Sequence, residues 1–111
     1  RTHVAELRDG EITYYDFDPA TLGITPAPLT ALRVANATES LAVIRDVYAG
    51  AAGPARDIVA LNAGAALYLC DFAQSIEEGY AQALQLIASG AARAAFERHI
   101  AYTQAIEIPP A

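Results

Sequence analysis

Apolar residues run almost unbroken from Ile58 to Cys70, interrupted only by Asn62 and Gly64 among the small alanines. A membrane span needs about 20 apolar residues, and this run is shorter and follows Arg56-Asp57. Buried strands rarely exceed about 8 residues. The run therefore predicts a helix over roughly 55–71, buried on most sides. Gly64 and its neighbouring alanines suit close approach by another helix. A buried Asn62 needs partners for its amide and is expected to tie this helix to a neighbouring backbone, with ligand contact as the alternative.

Other segments carry the same kind of signal. Asn36 and Glu39 have capping-box spacing, and Leu41, Ile44 and Tyr48 then recur on one helical face until Gly50. Ser75 and Glu78 repeat the capping pattern, followed by a stripe of Ile76, Tyr80, Ala83, Leu84 and Ile87. After Ser89-Gly90, a last helix over 91–105 aligns Ala92, Phe96 and Ile100. The N-terminal part is different. Asp9-Gly10 is a two-residue turn signal, and pairing outward from it sets Arg8 opposite Glu11, Leu7 opposite Ile12, Ala5 opposite Tyr14 and His3 opposite Asp16. A hairpin over 2–17 follows, which alone is marginal in water. Asp18-Pro19 reads as a cap and first helical position of a short turn ending at Gly23. The rest of 18–35, with Pro26 and Pro28, reads as an irregular connection. The expected chain is an α+β piece, a β-hairpin followed by about four helices over 36–105.

Composition narrows the classes. The chain has 111 residues, of which 54% are hydrophobic, and a net charge of −6 without a single lysine. That excludes the basic surface expected of a nucleic-acid or anionic-membrane binder. The lone Cys70 cannot form an internal disulfide, and its apolar setting predicts a buried thiol in a reducing compartment. There is no apolar signal-peptide core after Arg1. There is also no methionine, even at position 1, so the chain is expected to be a piece of a longer protein, a processed propeptide product being the less favoured account.

The search for chemistry returns structural roles. The glycines form neither a G-x-G-x-x-G nor a P-loop pattern, and one Cys with two distant His gives no zinc spacing. Asp16 and Asp18 share a strand face but read as a hairpin edge and a helix cap. Glu77 and Glu78 fall in a first helical turn, where negative charge favours the helix dipole. His3 is expected beside Asp16 across the hairpin, and His99 is expected as a partly buried structural imidazole beside Phe96 and Ile100. No basic neighbour lowers the Cys70 pKa towards reactivity. No catalytic, cofactor-binding or metal-ligating residue is therefore assigned in this chain.

The order of blocks carries a resemblance. "VAELRDGEI" (Val4 to Ile12), "DPATLGI" (Asp18 to Ile24), "GPARDIVALNAGAALYL" (Gly53 to Leu69) and "SIEEGYAQALQLIASGAA" (Ser75 to Ala92) follow one another as in the C-terminal third of bacterial anthranilate phosphoribosyltransferases. The chain departs from that family at Ala20-Thr21-Leu22, where acidic and aromatic residues are common. Val34-Ala35-Asn36 stands in place of a frequent Gly-Gly-Asp, and Gly64 in place of a usual alanine. The resemblance implies an α/β parent fold of the nucleoside phosphorylase/phosphoribosyltransferase type, of which 1–111 is the C-terminal part rather than a complete domain. It implies transfer of phosphoribosyl from phosphoribosyl pyrophosphate to anthranilate in tryptophan biosynthesis, with magnesium, in a cytoplasmic homodimer. The family's phosphoribosyl-binding loop, anthranilate-binding residues and Asp-Glu metal pair precede the region that matches Arg1. The piece is thus expected to be structural and inactive alone, with the missing N-terminal part as its partner. A non-catalytic binding or regulatory module of the same fold, or a pyrimidine nucleoside phosphorylase relative, are the alternatives.

Overall fold

A computed structural model describes residues 1–110. Two antiparallel strands, β1 (Thr2–Arg8) and β2 (Glu11–Phe17), form a two-stranded sheet. Its register pairs Arg8 with Glu11, Leu7 with Ile12, Ala5 with Tyr14 and His3 with Asp16, as the turn signal predicts. Asp9 and Gly10 both take positive φ, 52° and 82°, which matches the right-handed twist of the strands they join. The Arg8–Glu11 attraction expected from that register does not form as an ion pair. Arg8 turns instead to Glu6, two residues back on its own strand, at 3.2 Å, and to Asp71 at 3.7 Å.

Beyond the hairpin, Asp18 Oδ1 accepts from the Ala20 N–H and caps a 3-10 turn over Pro19–Leu22, and a second 3-10 turn spans Leu29–Leu32. Four helices follow: α1 (Ala37–Tyr48), α2 (Pro54–Leu69), α3 (Ile76–Ala88) and α4 (Ala91–Gln104). Both expected caps are present, with the Glu39 N–H donating to Asn36 Oδ1 and the Glu78 N–H to Ser75 Oγ. The reciprocal bonds reach one residue further than the usual box. Glu39 accepts from Ala35 N–H and Glu78 from Gln74 N–H, so each glutamate ties down the residue before the cap. Helix α2 stops at Leu69, two residues before the expected Asp71. Its end is a Schellman turn, with Phe72 N–H bonding Leu67 O and Asp71 N–H bonding Tyr68 O. Asp71 holds the left-handed position, φ 62°, which costs an L-residue about 1–2 kcal/mol.

The tightest packing lies between α2 and α3, and two glycines make it. A Cβ built on Gly64 would sit 2.4 Å from Tyr80 N, and one on Gly79 would sit 2.1 Å from Gly64 O. The two backbones therefore meet with no side chain between them, as the small residues around Gly64 led one to expect. The alanine usual in the resembled family would not fit at this spacing. Around this contact Val47, Ala60, Tyr80, Ala83 and Ile87 form the buried core, with Leu22, Ile24, Leu61, Leu67, Leu84 and Ala92 against it. The α3 stripe faces the core as predicted, with Tyr80, Ala83 and Ile87 buried and Ile76 and Leu84 half-buried. On α1 the buried residue is Val47, not Leu41, which stays exposed. Helix α4 docks through Tyr48 and Phe96, whose ring centroids lie 4.9 Å apart, and through an Arg45–Glu97 pair at 3.1 Å.

The core is small for the chain. The radius of gyration is 16.5 Å, against about 13 Å for a compact chain of this length. Helix α2 is not buried on most sides, because Ile58, Val59 and Leu69 face outward. Two expected burials, and the burial on which the Asn62 tie depended, fail with it. Cys70 is exposed, His99 is exposed on α4, and Asn62 is exposed. The Asn62 amide donates to Ile58 O at 2.8 Å within its own helix and ties α2 to nothing else.

Candidate functional site

The residues with reactive side chains stay apart. His3 bonds Asp16 across the hairpin, where Arg1 adds a longer contact of 3.8 Å. Asp18 and Glu78 act as caps, and Glu77 lies in the first turn of α3. Among the described residues, no three His, Cys, Asp or Glu side chains converge to hold a metal ion. None of these helices is long and apolar enough to cross a membrane.

One polar cluster does join distant parts of the chain, and no local pattern announces it. Glu6 lies on the hairpin face that turns towards the helices, with its side chain 12% exposed. Its Oε1 accepts from the Tyr15 hydroxyl at 2.8 Å, and its Oε2 accepts from the Tyr68 hydroxyl at 2.7 Å and from Arg8 Nε at 3.2 Å. The Arg8 guanidinium lies over the Tyr68 ring, 5.0 Å from its centroid, a cation–π arrangement. Beside the cluster is a cavity of about 250 Å³ lined by Tyr15, Phe17, Tyr68, Ser75 and Glu77.

The donors set the electrostatics. The Tyr68 hydroxyl first, then Tyr15 and Arg8, hold the Glu6 carboxyl below its ordinary value, against a smaller opposing effect of burial. Loss of water around its hydroxyl, followed by the Glu6 bond, pushes Tyr15 up to about 12. A carboxyl with a depressed folded value contributes stability above its unfolded pKa and loses it as pH falls through the folded value. The Glu6 carboxyl carbon, followed by NMR, is therefore expected to titrate below the ordinary carboxylate range. Tyr68→Phe is expected to move that midpoint upward. A midpoint unchanged by the substitution would show that Tyr68 does not hold the charge.

The other notable surface is apolar. Leu32, Val43, Ile44, Tyr48, Ile58 and Val59 line an open groove of about 230 Å³ between α1 and α2. On the hairpin, the face away from the helices carries Leu7, Ile12 and Tyr14, the last 79% exposed. At the start of α2, Arg56 pairs with Asp57 at 3.2 Å, yet its buried Nε has no hydrogen-bond partner among the described residues. Buried donors are nearly always satisfied, and exposed apolar patches mark interaction sites.

Comparison with known proteins fits this incomplete surface. An anthranilate phosphoribosyltransferase of Acidovorax sp. (strain JS42) is 50% identical over 103 residues, which is 93% of this chain and 30% of that protein. Its counterpart in Xanthomonas campestris pv. campestris (strain B100) is 47% identical over the same shares. That of Methylibium petroleiphilum is 46% identical over 106 residues, 96% of this chain and 31% of the relative. The chain thus spans about 30% of the length of the curated relatives it matches. The model of the glycosyl transferase family, a/b domain, matches residues 1–93, most of the chain, and the chain belongs to that family.

Proposed function

We propose that this chain is the C-terminal part of an anthranilate phosphoribosyltransferase and serves it as scaffold. The observation that carries this is the match itself: relatives of that name align along 93% of the chain but only 30% of their own length. The groove along α2, the bare outer face of the hairpin and the unpartnered Arg56 Nε support it, since each is a surface suited to a neighbour. In the assembled enzyme the amine of anthranilate attacks the anomeric carbon of phosphoribosyl pyrophosphate and pyrophosphate departs. Both substrates bind to the rest of the protein. Magnesium, when bound, would offset the charge of the departing pyrophosphate. The family resemblance puts the ligands for it in the part of the protein that precedes the region matching Arg1. The reading extends to a cytoplasmic homodimer, in keeping with a single unpaired thiol.

The test is reconstitution. The chain is co-expressed with the part of the Acidovorax sp. (strain JS42) relative that lies outside the match. Anthranilate-dependent release of pyrophosphate is expected from the pair and from neither component alone. Turnover by the 111-residue chain by itself would overturn the scaffold reading. Failure of the two parts to co-purify would favour a free-standing module of the same fold.

A further inference from the structure

No residue of the hairpin belongs to the buried cluster that unites α1, α2 and α3. Within β1 and β2 only Phe17 is buried, and it contributes to the cavity beside Tyr68 and Ile76. Among the described residues, the polar ties from the hairpin to the helical body are the Glu6–Tyr68 bond, which spans 62 positions of sequence, the Arg8 guanidinium over the Tyr68 ring, which the same Glu6 orients, and the Arg8–Asp71 pair. The Arg8–Asp71 pair is long and set on an aspartate that is 83% exposed, so it adds little. Glu6 is different, because three donors from β1, β2 and α2 converge on one shielded carboxylate. Bonds to a charged acceptor are the strong ones.

We propose that Glu6 is a latch: its carboxylate fastens the hairpin to the C-terminal end of α2, and the hairpin opens as one unit when that bond is broken. The β1–β2 ladder is complete in itself, so the hairpin leaves the helices as a unit, and once free it is marginal in water, so its ladder frays and its amides exchange. Release parts the open cavity between the hairpin and the helices, separating Tyr15 and Phe17 from Tyr68, Ser75 and Glu77. The charged and titratable groups around the latch are Arg8 on β1, Tyr15 on β2, Tyr68 on α2, Asp71 beyond it, and Glu77 on α3. The low titration of Glu6 keeps the latch charged at neutral pH.

Hydrogen exchange of the full 111-residue chain, read by mass spectrometry, tests this without reference to turnover, so its outcome is independent of the enzyme reading. Glu6→Gln is expected to speed exchange in 2–17 by about tenfold or more, while α3 amides change by less than about twofold. Tyr68→Phe, which deletes one hydroxyl and leaves the ring beneath Arg8, is expected to act on the same amides. The double variant should exceed the larger single effect by little, because both remove one bond. If Glu6→Gln does not accumulate, Tyr68→Phe is read in its place. Equal acceleration in the hairpin and α3, or hairpin exchange at the free-peptide rate in the unmutated chain, would overturn the latch.

Discussion

Gly79→Ala is expected to destabilise the chain by about 3 kcal/mol or more, the upper end of what overpacking costs in a close-packed interior. The added methyl would lie 2.1 Å from Gly64 O and 2.8 Å from Gly64 C. Both are backbone atoms of a helix, so no side chain can swing aside. Relief requires α2 and α3 to move apart, and that unpacks Ala60, Tyr80 and Ala83, which are buried around the contact. At this chain length such a loss corresponds to a fall in Tm of about 12 °C or more, readable by circular dichroism. Gly64→Ala should behave similarly, because its methyl would meet Tyr80 N at 2.4 Å. A melt of Gly79→Ala within about 1 °C of the unmutated chain would mean that the helices are not held this close.

The second large effect concerns assembly. Val59 lines the apolar groove yet is 41% exposed in the chain alone. Val59→Glu should therefore be tolerated by the chain itself, with helix content unchanged. In the reconstituted pair, a carboxylate pressed into an apolar contact without a partner carries a desolvation penalty of several kcal/mol. Anthranilate-dependent pyrophosphate release is then expected to fall by about a hundredfold or more, a loss of about 3 kcal/mol in assembly. Gln85→Glu, on the exposed side of α3, adds the same charge and should leave release unaffected. Full activity of the Val59→Glu pair would remove the groove from the interface.

Local chemistry explains which elements could be read in advance. The hairpin register was legible because Asp9-Gly10 accepts positive φ and the strands alternate with period two. The caps at Asn36 and Ser75 and the α3 stripe are likewise patterns within a few residues. What escaped was decided at a distance. Leu41 and Val47 are both apolar but lie on different faces of α1, and only the face turned to α2 and α3 is buried. Arg8 faces Glu11 in register but finds Glu6 and Asp71, because side-chain reach matters more than strand partnership. Glu6 and Tyr68 are separated by 62 positions, and nothing in either neighbourhood announces the other. The burial expected of Cys70, the partial burial expected of His99 and the backbone tie expected of a buried Asn62 were inferences from apolar neighbours. Such neighbours show that a surface wants covering, whether or not the covering element lies in the same 111 residues.

The back-to-back glycines of α2 and α3 also constrain how the gene can drift. Every glycine codon begins with two guanines, and each single-base replacement that changes the amino acid introduces at least a β-carbon or ends the reading frame. Neither Gly64 nor Gly79 therefore has a gentle neighbour in codon space. A lineage that gains alanine at one of them must re-space the two helices in the same step or soon after, so the two codons are expected to change together with the residues that set that spacing.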